Sequence, residues 1–174
     1  MPLRIVTREE WSTNPTINCQ EYLKMCNKVF IQNAFTTPCL NQERCQGRVR
    51  ELQQMHASNL LYQDITFNFM VGEDGNVYEG RGWTIPPCLP RRFNKLRFQS
   101  MLIGFMGDYT AETMPTQIDE ATSDLIKFGV KAGHIAVDYQ YYDIMYPQSV
   151  AEREERKYYN VYREPELHEE QDYA

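Results

Sequence analysis

An α/β fold, a central mixed β-sheet flanked by helices, is the class this sequence predicts, and three observations carry it. Two apolar runs of strand length, residues 28–35 and 101–109, are each followed by a segment whose apolar residues recur every three or four positions. The dipeptide Asp74-Gly75 joins two further strand patterns as a hairpin turn would. Strands that alternate with helices lay those helices on the faces of a sheet.

Each element has its own signature. "KVFIQNAF" at 28–35 is apolar enough to be a buried strand. After it, Cys45, Val49, Leu52, His56 and Leu60 mark one face of a helix over about residues 42–61. "ITFNFMVG" and "NVYEGR" flank the hairpin turn, and Tyr78 and Trp83 stand near its exit. "MLIGFMGDY" predicts a central strand. The next helix takes Thr116 and Asp119 as a capping pair, Ile118, Ala121, Leu125 and Ile126 as its buried stripe, and Gly133 as its stop. "HIAVDYQYY" closes the order as a last strand, and no internal repeat interrupts it.

With 174 residues, the chain suits one domain, taken here as residues 1–148, followed by a charged helix or tail at 149–174. That terminal stretch holds eight acidic and four basic residues, so it carries four of the six net negative charges. Its charge pattern predicts a solvated helix and a mobile tail; an acidic recognition tail is the alternative. A net charge of −6 argues against a duplex nucleic-acid binder, which needs a basic footprint. No stretch looks like a secretory leader or a membrane span, and the Asn14 acceptor pattern is blocked by Pro15.

Five cysteines bear on the compartment. Cys39 and Cys45 lie six positions apart among turn-forming residues, which predicts a small loop closed by a disulfide and stabilised by about 2 to 3 kcal/mol. Of Cys19, Cys26 and Cys88, at least one must be free or intermolecular. A zinc cluster is the alternative, but there is no CxxC pair and the histidines are not placed to complete one.

The motifs in their order, "VTREEW", "FIQNAFTTPCLNQERCQGRVRELQQMH", "YQDITFNFMVGEDGNVYEGRGW", "SMLIGFMGDY" and "DEATSDLIKFGVKAGHIAVDY", make the chain resemble a peptidoglycan recognition protein domain, from about residue 5 to 142. The resemblance implies the fold of the type-2 N-acetylmuramoyl-L-alanine amidases, with a muropeptide groove on one face of the sheet. Catalytic members of that family hold zinc with two histidines and a cysteine and cut the bond between muramic acid and the stem peptide. Zinc there polarises the carbonyl and activates a water.

Against that pattern, Gln32 and Asn33 stand where the first strand's histidines would be, and neither amide is an ordinary zinc ligand. Asp143, Ile144 and Met145 replace the second histidine's segment, no cysteine follows Cys88, and Phe67 replaces the assisting tyrosine. Of the three histidines, His56 falls on the predicted helix, His134 at a strand start and His168 in the acidic tail. The expectation is a domain without amidase activity, metal or cofactor.

For binding, the resemblance makes Gly82 and Trp83 the pair associated with diaminopimelate-type stems; packing as a core or rim anchor is the other reading of Trp83. Gln99 falls where an arginine would clamp the diaminopimelate carboxylate, with Arg97 two positions away. "TIPPCLPRRF" predicts a stiff, altered wall that narrows or closes the groove. Candidate ligand or partner contacts are Gly82, Trp83, Arg91, Arg92 and Arg97.

Two functions follow from the resemblance. One is an innate immune receptor or regulator of immune-deficiency-pathway signalling that pairs with another peptidoglycan recognition domain, as membrane-tethered insect members do. The other is a module that still captures diaminopimelate-type muropeptide without hydrolysing it. Either implies an extracellular domain, in the first case with its membrane anchor outside this sequence. An unrelated enzyme using the tail's carboxylates lacks the pocket that would separate their pKa values.

Overall fold

The computed structural model describes residues 2–34, 36–58, 62–109 and 113–145. Among these, six strands form one mixed sheet: β1 (Ile5–Val6), β2 (Cys26–Asn33), β3 (Phe69–Val71), β4 (Val77–Glu79), β5 (Ser100–Phe105) and β6 (Ile135–Asp143). Their spatial order is β1-β4-β3-β5-β2-β6. Every neighbouring pair is parallel except the β3–β4 hairpin. Helices α1 (Arg8–Trp11), α2 (Gln42–Ala57) and α3 (Thr116–Lys131) and a 3-10 segment (Arg91–Gln99) complete the described part. The expected class is therefore the observed one.

Side-chain alternation along the strands sorts the core into two halves. Phe30, Ala34, Leu102 and Tyr142 face α2 and the 3-10 segment, whereas Val29, Ile31, Met101 and Ile103 face α3. The α2 stripe is the one the spacing predicted, with Cys45, Val49, Leu52 and His56 buried. Asn41 caps this helix by accepting from the Arg44 N–H at 3.0 Å. The Cys39–Cys45 disulfide forms as expected, with Cα atoms 5.1 Å apart, and it sits buried in front of α2.

Several boundaries differ from the sequence expectation. Strand β3 is only three residues long, because Asn68 turns the preceding segment into a polar pivot. Its Oδ1 accepts from Leu102 N–H at 2.8 Å, while its Nδ2 donates to the carbonyls of Gly82 and Ile85. Helix α2 ends at Ala57 rather than near 61, and residues 59–61 fall outside the described set. Thr116 is the first residue of α3, not its cap; Pro115 precedes it and no side chain caps the turn. Gly133, at φ 81°, ends this helix as predicted. Strand β1, helix α1 and the 3-10 segment have too few residues for a periodicity to declare them. The proposed tail at 149–174 lies outside the described residues.

Candidate functional site

The parallel strands β2 and β6 end side by side. Ile31 pairs with Asp143, and the next residue, Ile144, donates its N–H to Ile31 O at 3.0 Å. On the other side Gln32 is in register with Gly104 of β5. A Cβ on Gly104 would lie 2.7 Å from the Phe67 ring, so the ring occupies the space a side chain would need. Gln32, Phe67 and Ile144 thus meet on the α2 face.

This end of the sheet is closed. Gln32, Asn33 and Phe67 have no exposed surface, and Ile144 is 5 % exposed. Tyr142 stacks on Phe30 at 4.6 Å, and Phe93 from the 3-10 segment packs against Phe30 at 5.1 Å. The segment after Trp83 therefore lays Phe93 over a strand face already lined by Phe30 and Tyr142.

Two amides stand at these strand ends in different states. Asn33 is a tie: its Nδ2 donates to Met145 O at 3.4 Å and its Oδ1 accepts from Tyr109 N–H at 3.3 Å. Gln32 is an orphan, with neither its side-chain oxygen nor its nitrogen hydrogen-bonded among the described residues. Burying an amide that way costs about 1 to 3 kcal/mol.

The residues present do not fit a zinc ion. Zinc sites are built from thiolate, imidazole and carboxylate ligands, and these four positions supply two carboxamides and two hydrocarbons. No three His, Cys, Asp or Glu side chains converge on a metal-sized site among the described residues.

At the hairpin exit, Gly82 has φ 69°, a left-handed conformation that a residue with a Cβ adopts only under strain. Its N–H donates to Asn68 O at 3.0 Å, which fixes the direction in which the chain leaves. Trp83 consequently lands on the α3 face, stacked on His134 at 4.7 Å and packed against Phe69 at 4.5 Å. Of its two sequence-level roles, this packing describes the anchor. It lies across the sheet from Gln32 and Phe67, not beside them.

The arginines are dispersed. Arg91 is exposed, and Arg92 lies over the Phe93 ring at 4.9 Å. Arg97 pairs with Glu21 at 2.7 Å and donates from Nε to Pro87 O at 2.9 Å. The Arg97 guanidinium holds the Glu21 carboxyl below its usual range. Gln99, at the clamp position, accepts from Lys28 Nζ at 3.3 Å.

The Arg8–Asp64 pair and Arg81, which the sequence reading did not single out, hold the opposite, amino-terminal end of the central strands together with His56. Arg8 meets Asp64 in a fork of two 3.1 Å bonds and also donates to the carbonyls of Pro15, Asn14 and Gly80. Arg81, 6 % exposed, donates to the carbonyls of Ile65, Tyr62 and Pro86. His56 accepts from Thr66 N–H at 3.0 Å through Nδ1, and burial first, then the nearby Arg81, pulls its pKa down to about 4. Beside these groups a cavity of about 410 Å³ is lined by Cys19, Glu21, Tyr62, Arg81, Cys88 and Arg97, among others. Their signal in the sequence was the charged residue embedded in each hydrophobic motif, Arg8 in "VTREEW", Asp64 in "YQDITF" and Arg81 in "YEGRGW".

A sheet of this order, with its closed strand ends under α2, defines a class. The chain belongs to the N-acetylmuramoyl-L-alanine amidase family (Amidase_2), whose family model matches residues 12–158. Within that family its relatives are peptidoglycan recognition proteins. It is 31% identical over 136 residues to peptidoglycan-recognition protein 1 of Holotrichia diomphalia, covering 78% of this chain and 68% of that one. With peptidoglycan recognition protein 1 of Rattus norvegicus it shares 32% identity over 142 residues, 78% of this chain and 73% of the relative.

Solved structures agree. The ectodomain complex of recognition proteins LCa and LCx, bound to tracheal cytotoxin, superposes with a TM-score of 0.75 at 30% identity, covering 81% of this chain and 84% of that one. Drosophila PGRP-LB superposes with a TM-score of 0.74 at 26% identity, covering 81% and 82%.

Proposed function

We propose that this domain is a non-catalytic peptidoglycan-recognition domain, acting as an innate immune receptor or as a regulator of immune-deficiency-pathway signalling through contact with another recognition domain. The observation that carries the reading is the end of β2 and β6. Gln32, Asn33, Phe67 and Ile144 offer neither a zinc ligand nor an acid, and all four are buried.

The aromatic packing of Phe93, Phe30 and Tyr142 over the same strand supports a groove that has lost depth as well as chemistry. Partnership with a second recognition domain is supported by the likeness to two ectodomains solved as a complex with tracheal cytotoxin. The ectodomain of the Drosophila transmembrane receptor PGRP-LCa is also similar, at a TM-score of 0.73 and 30% identity. An extracellular setting fits the Cys39–Cys45 disulfide, since such bonds persist in oxidising compartments. No described helix is long and apolar enough to cross a membrane.

The test is a calorimetric titration with a diaminopimelate-type muropeptide, run beside a lysine-type one, with and without an LCx-type ectodomain in the cell. The expected result is no heat from the domain alone and saturable heat with the ectodomain. Heat from the domain and the diaminopimelate ligand alone would instead establish the capturing module. Release of stem peptide in the presence of added zinc would overturn the non-catalytic reading.

A further inference from the structure

The cavity at the amino-terminal end of the strands brings together two thiols far apart in the chain, Cys19 and Cys88. Both belong to segments without helix or strand, and those segments are tied to each other twice. Leu23 N–H donates to Thr84 O at 2.7 Å. Arg97 bridges the segments a second time, with Glu21 on one side and the carbonyl of Pro87 on the other.

Cys19 lies four residues before Leu23 and Cys88 four residues after Thr84, so the two stretches leave the backbone bond in opposite chain directions and reach the same cavity. The Cys19 sulfur already leans on this bridge, 3.9 Å from Glu21 Oε1. From this juxtaposition we propose that Cys19 and Cys88 form a second intrachain disulfide, which fastens the 17–23 segment to the proline-rich wall at 84–90.

The chemistry is thiol–disulfide exchange with a low-molecular-weight disulfide such as oxidised glutathione. Cys19, the half-exposed thiol, attacks as the thiolate, forming a bond to one glutathione sulfur and expelling the other as a thiolate. Cys88 then attacks the Cys19 sulfur and expels the second glutathione. The two cysteine protons end on the two glutathione thiolates, so two protein thiols are oxidised and one small disulfide is reduced.

Burial holds the Cys88 thiol above its usual pKa, and the nearby Arg81 and Arg97 moderate that rise. Cys26, the remaining thiol, has no exposed surface, and burial pushes it up to about 11. It has no route into the exchange. Because neither segment carries a sheet ladder, bringing the two Cα atoms to the spacing of about 4.4 to 6.8 Å that a disulfide needs breaks no strand pairing.

The experiment equilibrates the purified 174-residue chain with oxidised glutathione, blocks remaining thiols with N-ethylmaleimide under denaturing conditions, and maps non-reduced peptides by mass spectrometry. The expected result is a Cys19–Cys88 linked peptide, a fall from three blocked thiols to one, and an upward shift in melting midpoint. In Cys88→Ser the shift disappears and Cys19 carries glutathione; Cys26→Ser leaves the link intact. A glutathione adduct on Cys19 of the wild type with Cys88 still blocked, a link from either residue to Cys26, or a disulfide-linked dimer would each overturn the proposal. Wild-type peptide mapping decides the question even if a variant fails to fold.

Discussion

Arg8 at one end of the sheet and Gln32 at the other bury polar side chains in opposite ways. At one end the Arg8 guanidinium places all five of its N–H donors, two on Asp64 and three on backbone carbonyls. At the other, Gln32 places none. Both side chains are buried, so the cost of a buried polar group here depends on connectivity. The connected end ties the chain's start to the hairpin exit 72 positions later. Gln32 stands where the family resemblance puts a catalytic position and, unlike its bonded neighbour Asn33, its amide contributes nothing visible to stability.

Breaking the connected end should have the largest effect. Arg8→Met removes the guanidinium but leaves Asp64 buried without its ion partner, and the expected loss is about 3 to 5 kcal/mol of unfolding free energy. Urea melts at pH 7 measure it. A loss under 1 kcal/mol would show that water already satisfies Asp64 and would erase the contrast between the ends.

His56 lies close to the connected end and is satisfied in one protonation state only. Its folded pKa of about 4 is below the ordinary value of 6.5. The unfolded chain therefore takes up the proton first as pH falls. Its contribution is complete above pH 6.5, declines between 6.5 and about 4, and amounts to about 3 kcal/mol. Melts at pH 7, 5.5 and 4 should follow that slope, and His56→Gln should flatten its share of it. An unchanged slope in the variant would assign the acid sensitivity to other groups.

Relieving the unconnected end should produce the smallest change, and with the opposite sign. Gln32→Met exchanges an orphan amide for a thioether of similar length, and the expectation is a gain of about 1 kcal/mol. A loss larger than that would mean the amide has a partner in solution.

Much of the fold was legible because it rests on local patterns. The α2 stripe, the Asp74-Gly75 hairpin, the apolar β5 run and the short disulfide loop each declare themselves within about twenty residues. The strands' lengths were not legible, since Asn68 looks like any strand residue until Leu102 and Gly82 arrive to bond it. The site was half legible. Motif comparison matched Gln32, Phe67 and Ile144 one by one to family positions, and only the register of β2 with β5 and β6 shows that the three share one face.

Trp83 shows where that reasoning stops. Sequence alone left it between a ligand contact and a packing anchor, and only the fold shows that a left-handed Gly82 sends it to the α3 face.

What the sequence by itself determined is the class of sheet, the disulfide loop and the absence of histidines from the carboxyl ends of β2 and β6. These depend on residue type and short spacing alone. Tertiary structure decided that Gln32 would be an orphan, that Phe93 would fill the face above Phe30, that Arg8 would find Asp64, and that Cys19 and Cys88 would share a cavity. Each of these joins residues distant in the chain, and which partners meet is fixed only when the two faces of the sheet are packed.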